Sequence, residues 1–218
     1  MPVPVDQVAT NFWATVLATP VQWQAHVRGL AEAAERRRST ADYDTGSILF
    51  EEALALLALA EFLVARVILE VGTFIGTSTT ALASARSVEA LYTCDASNDC
   101  LPATGVIHTY PKQISTHMLR DLRDRGVKSD LCFFDGALNP EDAILLRDVT
   151  TPETVYAFHD YNYGPKIRQK PDRSTYLETM PRKGIGNVAL LKPWLSHHAL
   201  IEPLDGTTLA LLIPESRR

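Results

Sequence analysis

The chain has 218 residues, 46% of them hydrophobic and 22% charged, with a net charge of −5. At roughly 150 residues per domain that length accommodates one large domain, and the composition is that of a packed core and excludes a disordered polymer. The acidic balance gives no electrostatic footprint for nucleic acid. With no long apolar span and no basic-then-apolar leader, a cytoplasmic protein without membrane partners is expected.

From Val5 to Val64 the pattern is helical, with helices expected over Asp6 to Leu17, Val21 to Arg38 and Ser47 to Val64; Pro20 separates the first two. Arg36-Arg37-Arg38 closes the second helix, where cations favour a C-terminus. The run from Ser39 to Gly46 is polar and ends in glycine, which is loop chemistry. Leu54 to Val64 is the most apolar stretch, but Glu51-Glu52 precede it and Glu61 interrupts it. Residues 1–64 are expected to form a helical cap or lid on a single domain spanning 1–218.

After Val67 the pattern changes to alternating strands and helices, the mark of a mostly parallel sheet with right-handed crossovers. Strands are expected at Val67 to Val71, Ala90 to Cys94, Val106 to Tyr110, Leu131 to Phe134 and Val155 to Phe158, with a late antiparallel pair near Val188 to Leu191 and Leu209 to Ile213. Helices are expected at Thr77 to Ala85, Thr116 to Arg125 and Pro140 to Val149. The fold class is therefore α/β: a Rossmann-like seven-stranded sheet with helices on both faces, a C-terminal hairpin and an N-terminal cap. Cys94, Cys100 and Cys132 lack metal-ligand spacing and read as reduced thiols in or near the core.

The segment Glu70-Val71-Gly72-Thr73-Phe74-Ile75-Gly76-Thr77-Ser78 breaks a buried strand into a glycine turn and then a small-residue helix. Gly72 and Gly76 permit a sharp turn and close approach of a ligand, and the helix start offers free N–H groups. The spacing lacks the third glycine of a dinucleotide fingerprint and the lysine of a phosphate-binding loop, which disfavours a nicotinamide oxidoreductase.

Three acids follow strand-like runs: Asp95, Asp135 and Asp160, the last beside His159. Carboxyl ends of strands are where open α/β sheets bind ligands. A carboxylate at Asp95 can accept from ribose hydroxyls. Asp135 closes a wholly apolar strand, so it must be solvated, paired or coordinated. His159 and Asp160 can share one pocket only if the strand has ended, because neighbouring strand residues point to opposite faces.

Taken together, Glu70-x-Gly72-x-x-x-Gly76-x-Ser78, Cys94-Asp95, Phe134-Asp135-Gly136 and Phe158-His159-Asp160-Tyr161 resemble the class I S-adenosylmethionine-dependent methyltransferases, in particular the small-molecule and sugar O-methyltransferases. The resemblance covers roughly residues 45–213. It implies S-adenosyl-L-methionine held by Glu70, Gly72, Thr73, Phe74, Gly76, Ser78, Asp95 and Asp135, with Gly46 in a gating loop. It also implies Mg²⁺ on Asp135 and Asp160, and catalysis by His159, Asp160 and Asp135. The implied partner is a small hydroxylated acceptor, a saccharide or secondary metabolite, and the implied assembly is a homo-oligomer, expected as a dimer.

On this reading His159 accepts the hydroxyl proton, since an imidazole titrates near working pH. The loop after the fifth strand, with Tyr161, Tyr163 and Lys166, would line the acceptor site, and Trp194 with His197-His198 would contribute from further along. Ala137 and Leu138 stand where the subgroup often carries another ligand. That departure leaves open a second function, a non-catalytic S-adenosylmethionine-binding protein that retains the fold.

Overall fold

The computed structural model describes residues 48–97, 105–162, 182–201 and 207–217, with 25, 28, 29 and 103 besides. Ala25, Arg28 and Gly29 are helical, within the second helix expected from the sequence. The first helix, the arginine cluster, the Ser39 to Gly46 loop with Gly46 itself, Cys100, Tyr163 and Lys166 lie outside the described residues.

In chain order the elements are α1 (Phe50–Leu63), β1 (Val67–Val71), α2 (Thr77–Ala83), β2 (Ala90–Asp95), β3 (Ile107–Pro111), α3 (Ser115–Asp124), β4 (Ser129–Phe134), α4 (Pro140–Val149), β5 (Thr150–Phe158), α5 (Lys183–Leu191), β6 (His198–Ile201) and β7 (Ala210–Pro214). They form a seven-stranded sheet in the order β3-β2-β1-β4-β5-β7-β6. The first five strands are mutually parallel, and β7 inserts antiparallel between β5 and β6. Strand order reverses between β1 and β4, which opens a crevice at their carboxyl ends.

The period-2 alternation of the strands divides the core into two layers. Ile68, Leu91, Leu131, Phe133, Val155, Ala157 and Leu211 pack on the α1–α2 side. Leu69, Cys94, Cys132, Phe134, Tyr156, Phe158 and Leu212 pack on the opposite side with residues of α3, α4 and α5. This parity also sets the site. Residues 133 and 157 are register partners on the α1 side, so two residues on, Asp135 and His159 emerge side by side on that same face.

Helix boundaries follow local chemistry. At the start of α4, Asn139 Oδ1 accepts from the N–H groups of Glu141 and Asp142, Asp142 reaches back to the N–H of Asn139, and Pro140 occupies the first turn, where its missing N–H costs nothing. The α1 helix is apolar nearly all round, as suits an element packed against α2 in the core layer on this face of the sheet. No helix among the described residues is long and apolar enough to cross a membrane.

One sequence expectation fails here. Val188 to Leu191 is the last turn of α5 and not a strand; the hairpin strand that partners β7 is β6, His198–Ile201. A run of four apolar residues does not distinguish a buried strand from one side of a helix.

Candidate functional site at the carboxyl edge of the sheet

The turn after β1 is held by its neighbours on both sides. The N–H groups of Gly72 and Thr73 donate to the carbonyl of Cys94 on β2, and those of Asp135 and Gly136 donate to the carbonyl of Val71. Gly72 has φ +100°, and a Cβ there would lie 2.8 Å from the backbone N of Gly136. The two loops thus touch backbone to backbone. Phe74 is also left-handed, at φ 46°, and its N–H donates to Asp95 Oδ2 at 2.7 Å. Asp95 Oδ1 accepts from the N–H of Ser97 at 2.8 Å. A carboxylate has about four lone-pair sites, so Asp95 braces the turn and still has acceptor capacity toward the crevice.

Glu70 and Ser78 lie below that turn. Ser78 Oγ donates to Glu70 Oε1 at 2.6 Å, while Thr79 and Thr93 donate to Oε2 at 2.5 and 2.6 Å. Burial drives the Glu70 carboxyl up to about 7, against the opposing pull of the three hydroxyls. This wholly buried acid ties β1, α2 and β2 together. Thr73 joins the same group through its hydroxyl, 2.6 Å from that of Thr93.

Across the crevice, Asp135, His159 and Asp160 come together. His159 Nδ1 lies 2.6 Å from Asp135 Oδ1 and 3.6 Å from Asp160 Oδ1, with the imidazole only 1% exposed. The strand ends at Phe158, and Asp160 adopts φ 54°, a conformation that Asp tolerates better than most residues. The chain therefore turns at this point and both side chains face one pocket. Ligand atoms of Asp135, His159 and Asp160 all lie within 4.8 Å of one another. The two carboxylates, one still partly exposed, form an oxygen donor set suited to a hard divalent cation, with the imidazole beside them.

Several contributors were missed in the reading of the sequence. Glu52 of α1, wholly buried, faces His159 Nε2 at 3.2 Å and accepts from both the N–H and the hydroxyl of Thr208. At the N-terminus of α5, Lys183 Nζ donates to the carbonyl of Asp135 at 3.3 Å. Asn187 bridges the carbonyl of Gly136 and the N–H of Leu138, each at 2.9 Å. For Glu52 the available clue was spacing: it sits four residues before Leu56, on the stripe of α1 that enters the core.

Other expected contributors lie elsewhere. His198 is buried on β6, with Nε2 3.0 Å from the carbonyl of Thr154, midway along β5 and away from its carboxyl end, and desolvation lowers its pKa. The Trp194 ring packs under the Arg147 guanidinium of α4, at 4.4 Å. Tyr161, half-buried, directly follows the acid pair, and its N–H donates to the carbonyl of Thr208. Cys94 and Cys132 are buried; burial pushes the Cys132 thiol up to about 12, as an inert core thiol requires.

No protein-family model matches the sequence, and no curated protein matches it. Solved structures do. An O-methyltransferase from Bacillus cereus in complex with SAH superposes with a TM-score of 0.61 at 16% identity, covering 85% of this chain and 90% of that one. The O-methyltransferase TomG from Streptomyces achromogenes, involved in tomaymycin synthesis and solved with SAM, gives 0.58 at 19%, covering 85% and 88%. The SAH-bound Podospora anserina methyltransferase PaMTH1 gives 0.58 at 12%, covering 98% and 97%. At these identities the likeness is one of architecture: the chain has the class I S-adenosylmethionine-dependent methyltransferase fold.

Proposed function

We propose that this protein is an S-adenosylmethionine-dependent O-methyltransferase acting on a hydroxyl of a small acceptor, a saccharide or secondary metabolite. One observation carries the reading: the glycine turn after β1, packed backbone to backbone on Gly136, has an acceptor-rich carboxylate, Asp95, on one side and the Asp135–His159–Asp160 group on the other. S-adenosylmethionine, when bound, supplies a methyl group on a sulfonium. The turn from Gly72 to Gly76 would cradle it, and Asp95 would accept from its ribose hydroxyls.

Methyl transfer is an in-line displacement, so the protein acts by alignment, exclusion of water and removal of one proton. Asp135 and Asp160 would hold Mg²⁺, whose charge makes an acceptor hydroxyl more acidic. His159, beside both acids, would take the proton that the acceptor hydroxyl gives up. Residues 1–64 would supply the cap over this edge.

Calorimetric titration with S-adenosylhomocysteine tests the cofactor site, and labelled S-adenosylmethionine with a panel of sugars and phenols in Mg²⁺ tests transfer. Saturable binding, and turnover that EDTA abolishes, are expected. Absence of binding would overturn the proposal. A second reading, a binding protein without turnover, draws on the contacts of both His159 ring nitrogens with carboxylates; binding without conversion of any acceptor would favour it.

A further inference from the structure

Lys183 has no place in the chemistry above, yet α5 holds it where the loops after β4 and β5 meet. Gly184 seats the first turn of the helix on the backbone of His159 and Tyr161, with no room for a Cβ between them. One turn on, Asn187 bonds the carbonyl of Gly136 and the N–H of Leu138. Pinned to both loops, α5 delivers the Lys183 ammonium to the carbonyl of Asp135.

Nothing in the helix accounts for a cation there. A positive charge is disfavoured at a helix N-terminus, Arg182 already precedes it, and the first turn carries no acid. The bond to Asp135 is long, at 3.3 Å, and one neutral carbonyl offsets little more than the entropy of ordering a lysine side chain. An ammonium has three donors. Among the described residues this one, half-buried, forms no ion pair and no second hydrogen bond, so two of its donors are unclaimed by the protein beside the Asp135–His159–Asp160 group.

We propose that Lys183 is a specificity-determining residue of the acceptor site, its ammonium pairing with a carboxylate that the acceptor carries near the hydroxyl to be methylated. This rests on the methyltransferase reading and narrows its substrate class to hydroxy acids, sugar acids among them. Charge favours a carboxylate over a phosphate. Asp135 and Asp160 match the two charges of a divalent cation, which leaves one ammonium to match one negative charge, whereas a phosphate monoester brings about −1.5 to −2. Position separates this anion from the carboxylate of the cofactor itself, because the cofactor turn is braced on β2 while Lys183 lies against the loop after β4.

Calorimetry on the full chain with Mg²⁺ and S-adenosylhomocysteine tests it with matched compounds: catechol against protocatechuate, and glucose against glucuronate and glucose 6-phosphate. At least one carboxylate is expected to bind about 10- to 100-fold more tightly than its neutral partner, and the excess should shrink with added salt. Lys183→Met keeps the stem and removes the charge, so the preference should vanish; Lys183→Arg should retain it. Absence of a carboxylate preference in the wild type overturns the proposal without recourse to any variant, as does a preference that survives in folded Lys183→Met. Tighter binding of the phosphate than of the carboxylate overturns it too. Loss of S-adenosylhomocysteine affinity in Lys183→Met also counts against it, since the lysine would then serve the cofactor. Failure of the wild type to bind S-adenosylhomocysteine removes the methyltransferase reading instead, and the same compounds titrated with Mg²⁺ alone then decide whether Lys183 holds a carboxylate.

Discussion

Asp160 Oδ1 stands 3.6 Å from His159 Nδ1 although the two residues are adjacent in sequence, and the left-handed backbone at Asp160 makes this possible. Position 160 therefore has two demands, a carboxylate and a residue that tolerates φ 54°. Asp160→Asn and Asp160→Ala separate them. Both should lose metal-dependent turnover. Asn tolerates the left-handed region and relieves repulsion with Asp135, whereas Ala is strained there, so the Ala variant should be less stable than the Asn variant by roughly 1–2 kcal/mol. Urea unfolding of the pair measures the difference; equal stabilities would show that the backbone at 160 carries no strain.

The contact between the β1 and β4 loops makes an unequal prediction for its two glycines. A Cβ on Gly72 meets the backbone N of Gly136 at φ +100°, and neither atom can swing away. A Cβ on Gly136 meets Val71 Cγ1 at 2.8 Å, a side-chain atom that can rotate, with the Val71 carbonyl oxygen at 3.4 Å. Gly72→Ala should cost about 2–4 kcal/mol and abolish S-adenosylhomocysteine binding. Gly136→Ala should cost about 1–2 kcal/mol and weaken binding only partly. Calorimetry and urea midpoints on both variants check the ranking.

The parallel strands and the glycine turn were legible in the sequence because a strand covered on both faces is written as a short apolar run ending in a charge, as in Leu131 to Asp135. The grouping of Asp135 with His159 follows from register, which the sequence does not state but the strand ends imply. Glu52 was illegible for the opposite reason. An acid in the first turn of an apolar helix looks like a solvated N-terminal charge, and only the docking of α1 against the end of β5 turns it inward. The α5 contributions were lost because Gly184 and Gly186 weaken the helical pattern of the segment that contains them. Gly184 is present for packing, which local pattern cannot show.

Glu70 gives the fold a pH dependence of defined sign. Its folded pKa, about 7, lies above the ordinary carboxylate value of 4.5 because burial disfavours the charged form. The folded state therefore retains a proton that the unfolded chain releases, and stability falls as pH rises from the unfolded to the folded value. The full contribution is present below about 4.5 and is lost through about 7, with a slope of at most about 1.4 kcal/mol per pH unit. Glu70→Gln should remove this component while keeping hydroxyl partners. Urea unfolding from pH 5 to 8 on both proteins reads it; parallel curves would mean that Glu70 does not titrate in this window.

The two glycines of α5 provide an internal control, since they share a helix and differ only in what they face. A Cβ on Gly184 would press on the carbonyl oxygen of His159 and lie 2.9 Å from the backbone N of Tyr161, whereas one on Gly186 meets nothing within 4 Å. Gly186→Ala should stabilise the protein by roughly 0.5–1 kcal/mol, the ordinary gain of alanine over glycine in a helix. Gly184→Ala should destabilise it by about 1–3 kcal/mol, as overpacking against backbone does. It should also displace the 159–161 segment that carries the imidazole and the second acid. Turnover should then fall in Gly184→Ala at unchanged S-adenosylhomocysteine affinity, because the cofactor turn is built from β1 and β2 and the displaced segment from β5. Matching losses of binding and turnover would instead mean that the two halves of the crevice move as one body.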